Sequence, residues 1–139
     1  MKNIFKTLNI EAFSTRFAAD EECLQFLSEQ KWARGFICRK CGHANFCKGK
    51  TPFSRRCTRC KSEESATAHT IFHRCHLPIT EAFQMVYMVC SNPKISSYEL
   101  SRHLEIRQMT CWKLKSRLLE CLKNKGEIDI LYSPEANSE

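Results

Sequence analysis

Cys38-Arg39-Lys40-Cys41 is followed, after fifteen residues, by Cys57-Thr58-Arg59-Cys60. A pair of cysteines separated by two residues lets one tight turn aim two thiolates at a single ion. Two such pairs complete a tetrahedron around zinc, with Zn–S distances near ~2.3 Å. The span from Cys41 to Cys57 is long enough for one β-hairpin, and Gly49 and Pro52 punctuate it, with Asn45-Phe46-Cys47-Lys48 before and Phe53-Ser54-Arg55-Arg56 after. This pattern predicts a zinc ribbon in which Cys38, Cys41, Cys57 and Cys60 hold one Zn2+. Four thiolates leave no position for water or substrate, so the ion would be structural.

Other readings of the same cysteines are weaker. Two disulfides would need an oxidising compartment, and the segment MKNIFKTLNI has no apolar run resembling a signal peptide. A redox Cys-x-x-Cys pair belongs at a helix start in a βαβ setting, which this stretch lacks. His43 and Cys47 lie close enough in sequence to substitute as ligands, but four cysteines suffice without them. The run His69, His73, Cys75, His76 invites a second metal site, and is discounted because no paired spacing repeats. Ten cysteines without an export signal imply a reducing cytoplasm.

The positioning elements follow from periodicity. The 139 residues can hold one modest domain or two very small ones, and no window approaches a membrane span. Residues 1–18 read as an arm whose Ile4, Phe5, Leu8, Ile10, Phe13 and Phe17 are available for docking, on this chain or on a second copy. A helix is expected from about Ala19 to Lys31, with Asp20, Glu21 and Glu22 favoured at its positive end and Cys23, Phe26 and Leu27 on one face. Past the second cysteine pair, the β-branched stretch Ser65 to Phe72 predicts a third strand. Thr80 could cap a helix reaching about Cys90, apolar all round and therefore the buried centre of its unit. A short helix capped by Ser96 or Ser97 comes next, with Tyr98, Leu100 and Leu104 inward. After Glu105-Ile106-Arg107, a longer helix should run from Gln108 to about Lys123 around a seam of Cys111, Leu114, Leu118 and Leu122, flanked by Trp112 and Leu119. Short helix, three-residue turn and longer basic helix make the helix-turn-helix pattern; a plain helical hairpin is the alternative. Glu105 is the awkward residue, since glycine more easily takes a left-handed turn.

The predicted class is therefore α+β. An arm and helix (1–35) lead into a ribbon built of a β-hairpin plus a third strand (36–77). A three-helix unit (78–124) and a short tail (125–139) follow. Net charge is +7, but it is segregated: Lys31 to Lys61 carries ten Lys or Arg and no acidic residue, and Arg102 to Lys125 carries seven against two acids. Two basic blocks in an otherwise mildly acidic chain point to a polyanion, nucleic acid before membrane.

From Phe17 to Lys123 the chain resembles the N-terminal part of insertion-sequence transposases that open with a zinc ribbon and a helix-turn-helix. The resemblance rests on Trp32, Gly35-Phe36-Ile37-Cys38-Arg39-Lys40-Cys41-Gly42-His43, Phe53-Ser54-Arg55-Arg56-Cys57, Thr67-Ala68-His69-Thr70-Ile71-Phe72, Ile95-Ser96-Ser97-Tyr98-Glu99-Leu100-Ser101 and Thr110-Cys111-Trp112. It implies that the ribbon and the helices bind the terminal double-stranded DNA of the mobile element. In the helix-turn-helix geometry Gln108, Met109, Thr110 and Lys113 face base edges, Arg107 and Arg117 meet phosphate, and Arg55, Arg56 and Arg59 add backbone contacts. Such transposases continue into an RNase H-like catalytic domain of the DDE type that opens on a carboxylate-bearing strand. Gly126 to Tyr132 resembles that opening, with Asp129 on the carboxylate position. One carboxylate cannot organise two-metal phosphoryl transfer, so the expected role is non-catalytic: a regulator, a competitor for element ends, or a decayed remnant. An enzymatic role would require the missing catalytic half to be supplied by another chain, a partner transposase. The competing role is a protein-interaction module.

Overall fold

The computed structural model describes Phe5 and residues 8–132. It is a mixed α+β chain of five helices and one three-stranded antiparallel sheet among those residues. Helix α1 (Ile10–Arg16) starts where the Asn9 side chain accepts the Ala12 N–H at 2.8 Å. Helix α2 (Asp20–Lys31) has no side-chain cap and relies on Asp20, Glu21 and Glu22 in its first turn. Phe5, Phe13 and Phe17 are buried, so the N-terminal arm docks on its own chain. Ile4, expected in the same role, lies outside the described residues.

Helix α3 (Ile79–Ser91) is the hub of the core. It buries Ala82, Phe83, Met85, Val86 and Val89 and packs against α2 and the two helices that follow it. The Phe83 ring lies 5.1 Å from Phe17, 5.2 Å from Phe72 and 5.7 Å from Phe5, which joins the arm, the loop after the ribbon and the helices in one cluster. Pro78, not Thr80, takes the N-cap position of α3. Proline needs no donor there, and the Thr80 N–H is met instead by Asp20 Oδ1 of α2 at 3.4 Å.

Helix α4 (Ser97–Leu104) is capped by Ser96, whose Oγ accepts the Glu99 N–H at 3.1 Å. Leu100 is buried, but Tyr98, expected inward, is 68% exposed. Two residues before Leu100 is about 200° around a helix, so the two cannot share a face. Glu105 does adopt the left-handed conformation (φ 55°, ψ 44°), and a bond from Ser101 Oγ to the Ile106 carbonyl closes the turn behind it. Helix α5 (Gln108–Lys125) buries Cys111, Leu114, Leu118 and Cys121. Cys121 replaces Leu122 in the seam because the chain folds back over that side: its Sγ accepts the Asp129 N–H at 3.3 Å.

Two further expectations are corrected. The third strand is only Glu63–Glu64, and residues 65–75 run as successive turns. Thr70 shows why: its Oγ1 donates to the Thr67 carbonyl at 2.6 Å and accepts the Phe72 N–H at 3.2 Å, local bonds that compete with a ladder. Gly126 to Tyr132 forms no strand either. It returns across α5, burying Ile128, Ile130 and Tyr132, and the Ile130 carbonyl accepts the Ile71 N–H at 3.0 Å.

The ribbon sheet has the order β1 (Phe46–Lys48), β2 (Arg55–Cys57), β3 (Glu63–Glu64). Phe46 pairs with Cys57 and Lys48 with Arg55, while Arg55 and Arg56 face Glu64 and Glu63 across the second pairing. Its apolar interior is a separate small cluster of Trp32, Phe36, Cys38 and Cys57.

Candidate metal centre and basic surfaces

The two cysteine turns are built alike. In the first, the Gly42 N–H donates to the Cys38 carbonyl at 2.9 Å and the Cys41 N–H reaches Cys38 Sγ at 3.5 Å. In the second, the Lys61 N–H donates to the Cys57 carbonyl at 3.1 Å and the Cys60 N–H reaches Cys57 Sγ at 3.4 Å. The residue after each pair is left-handed, Gly42 at φ +76° and Lys61 at φ +67°. Glycine takes that conformation without strain; lysine takes it at a cost, while its Nζ bonds the Thr58 carbonyl at 2.8 Å. Backbone amides aimed at sulfur are what a metal-bound thiolate needs to spread its charge.

The four sulfurs all lie within 4.8 Å of one another, with Cys38–Cys60 and Cys41–Cys57 each at 3.5 Å. A tetrahedron with Zn–S near ~2.3 Å has edges of about 3.8 Å, so the cage fits one zinc ion. Within the cage the thiols differ. Ser62 Oγ, backbone N–H groups and Cys60 hold the Cys38 thiol down to about 5. The His43 N–H works to lower Cys41, but burial and the sulfurs of Cys57, Cys38 and Cys60 outweigh it and push that thiol up to about 11. Without a cation the first thiolate opposes the others, and a divalent ion would relieve that repulsion. Among the described residues these four cysteines form the one cluster of three or more metal-ligating side chains. His43 and Cys47 are not in it, nor is the run from His69 to His76.

An ion-pair network joins the ribbon to the helices. Lys31 Nζ at the end of α2 lies 2.5 Å from Glu64 Oε2, with side-chain exposures of 5% and 13%. The same ammonium donates to the Ser65 and Ala68 carbonyls at 2.8 and 2.6 Å. Arg39, beside the first cysteine turn, donates through Nε to Glu64 Oε1 at 2.8 Å.

The basic candidates divide by environment. Arg55 is clamped, its guanidinium 4.0 Å from the Phe46 ring centroid and 4.7 Å from that of Trp32. Arg56 lies half-buried on β2, and Arg59 stands exposed on the second cysteine turn. Arg107, Met109 and Lys113 are exposed around the start of α5, and Thr110 is half-buried. Gln108 Nε2 donates to Ser97 Oγ at 2.6 Å. Arg117 Nη1 donates to the His73 carbonyl at 2.6 Å and the Ile71 carbonyl at 3.4 Å, tying α5 to the loop after the ribbon. Two aromatic side chains that the sequence reading did not assign to a surface, Tyr98 and Trp112, stand beside this end of α5 at 68% and 52% exposure. The signal was available for Trp112: it follows Met109 by three residues, on the face opposite the buried seam.

Fold and site together define a four-cysteine zinc ribbon anchored to a helical body. Residues 18–63, from just before α2 to the start of β3, match the family model described as the transposase zinc-ribbon domain, so this part of the chain is similar to that family. No curated protein and no solved structure matches the chain.

Proposed function

We propose that this chain is a non-catalytic DNA-binding protein that recognises element-end DNA with its ribbon and its last two helices. The observation that carries the reading is the transposase-type ribbon over residues 18–63, followed in the same chain by a short helix, a left-handed turn and a longer helix. The two segregated basic stretches support it. In this reading residues 36–77 grip the backbone and residues 78–124 form a helix-turn-helix. The start of α5 enters the major groove with Met109, Thr110 and Lys113 toward base edges, and Gln108 joins them by turning away from Ser97. Arg107 and Arg59 meet phosphate, as does Arg56. Arg55 holds the hairpin in shape between its two rings, and Arg117 positions α5. Strand transfer needs several carboxylates around a pair of ions, and we assign it elsewhere than to Asp129, whose Oδ1 accepts the Leu131 N–H at 2.9 Å.

A second reading, docking on another protein, is favoured by a groove of about 710 Å3 between α2 and the hairpin, lined by Leu24, Phe46 and Phe53 among others. A gel-shift titration across salt concentrations, using a duplex selected from a random pool, separates the two. DNA binding gives an affinity that falls steeply with salt, and Lys113→Ala weakens it with loss of preference at one base pair, at a cost of about 1–3 kcal/mol. Sequence-indifferent weak binding, unchanged in Lys113→Ala, leaves the protein-docking reading.

A further inference from the structure

The outward face at the start of α5 is not built like a simple phosphate-binding surface. Met109, Trp112, Lys113 and Ser116 are spaced at i, i+3, i+4 and i+7, which places them on one stripe of the helix. The first two members of the stripe are large and apolar and remain 58% and 52% exposed, although a buried seam lay available on the opposite side. The start of α4, and with it Tyr98, lies beside the same turn, where Gln108 Nε2 reaches Ser97 Oγ in the unbound chain. The same helix, turn and helix carry the exposed cations Arg102, Arg107 and Lys113, with Glu99 and Glu105 also exposed. A surface meeting only phosphate would have no use for a thioether and an indole, and an ordinary apolar protein interface is depleted of charged side chains at its core. The floor of the major groove combines both demands, because thymine presents a 5-methyl group there between two phosphate ridges, while cytosine presents none.

Resting on the DNA-binding reading above, we infer that Met109 and Trp112 pack against thymine methyl groups, so that this chain selects duplexes with thymine at fixed positions under the first turns of α5. Lys113 supplies the polar contact beside them, and Tyr98 borders the adjacent strand.

The test begins with duplexes selected from a random pool by the zinc-loaded full chain. Each thymine of the selected site is then replaced in turn by deoxyuridine, which removes the methyl group and leaves base pairing intact. At one or two positions the wild type should lose about fourfold in affinity, the value for returning one apolar carbon to water. Met109→Ala or Trp112→Ala should bind thymine and deoxyuridine duplexes alike at that position, and Trp112→Phe should keep part of the difference. Zinc content and circular dichroism confirm that these surface variants remain folded. A selected site with no fixed thymine, or a wild type indifferent to every methyl group, overturns the inference while leaving DNA recognition standing. So does a methyl effect that survives in both alanine variants. A change in oligomeric mass in place of methyl preference would make the patch an interface between copies and overturn it equally. Failure to select any duplex removes the inference together with the function it rests on.

Discussion

Zinc binding in small domains is worth about 10–16 kcal/mol of apparent free energy, and in such domains it is folding free energy. The ribbon's own apolar cluster of Trp32, Phe36, Cys38 and Cys57 is far too small to replace that contribution. Cys57→Ser should therefore lose both the ion and the ribbon fold, leaving the helices in place. Metal analysis showing one zinc per wild-type chain and none in the variant, with dispersed ribbon amide signals lost, checks this. Gly42→Ala is a gentler probe of the same site. Its φ of +76° makes any side chain strained, and a loss of about 1–2 kcal/mol in zinc-dependent unfolding is expected. These residues were legible in the sequence because ligand geometry constrains spacing so tightly that few alternatives survive. Lys61 was not, since nothing in a lysine announces a left-handed backbone. Trp112 was missed for a related reason: an aromatic residue near an apolar seam reads as core, and only the completed packing shows which face has room.

The hairpin illustrates how an element is held by contacts that sequence patterns do not encode. Gly49 sits where an added Cβ would lie 2.1 Å from Ser54 Oγ and 2.7 Å from the Glu63 carboxyl carbon. Glu63 in turn accepts the Lys50 N–H at 3.1 Å through both oxygens and Ser54 Oγ at 3.2 Å, spanning the turn between β1 and β2. Gly49→Ala should break this arrangement and cost about 1–3 kcal/mol, read as lost zinc-loaded stability with the helices unaffected. The Lys50 N–H, helped by Ser54, holds the Glu63 carboxyl below its ordinary value. A folded-state pKa below the unfolded one means that its contribution is complete above the ordinary carboxylate range and is lost as pH falls through the lowered value. At neutral pH, Glu63→Gln should already show the consequence as faster amide exchange at Lys50. The four helices from Asp20 onward, by contrast, could be drawn from caps and periodicity to within two residues, whereas α1 (Ile10–Arg16), capped by Asn9, was read only as part of an arm. The errors there, Tyr98 and the Thr80 cap, come from reading apolar or capping residue types without following their angle or their neighbours. The third strand lies at Glu63–Glu64 and not in the stretch from Ser65 to Phe72, because threonine and serine side chains there satisfy the backbone locally, which β-branched content alone does not reveal.

Across the whole molecule, the ribbon's small apolar cluster is separate from that of the helical body, on which Phe53 of the hairpin packs, and polar contacts at the junction add to their relative placement. Charge segregation told from the sequence that both parts carry positive surface, but not that Lys31, the first residue of the basic block, faces inward. Its ammonium meets Glu64 Oε2 and two carbonyls of the 65–68 loop, and burial lowers its pKa against the opposing pull of Glu64. Such a pair offers little net stability over an apolar substitute. Removing one partner, however, strands the other, at a typical cost of about 3–5 kcal/mol. Lys31→Met should show a loss toward that range in denaturant unfolding of the zinc-loaded chain, moderated because Arg39 still meets Glu64. Lys31→Met combined with Glu64→Leu should recover part of the loss, since no carboxylate is then left buried. The single variant should also keep its zinc while its ribbon tumbles independently of the helices in relaxation measurements. If both parts must grip one duplex, its DNA affinity should fall toward that of the helices alone. Unchanged relaxation and unchanged stability in Lys31→Met would show instead that the cysteine turns and the loop at 65–68 fix the orientation without the ion pair.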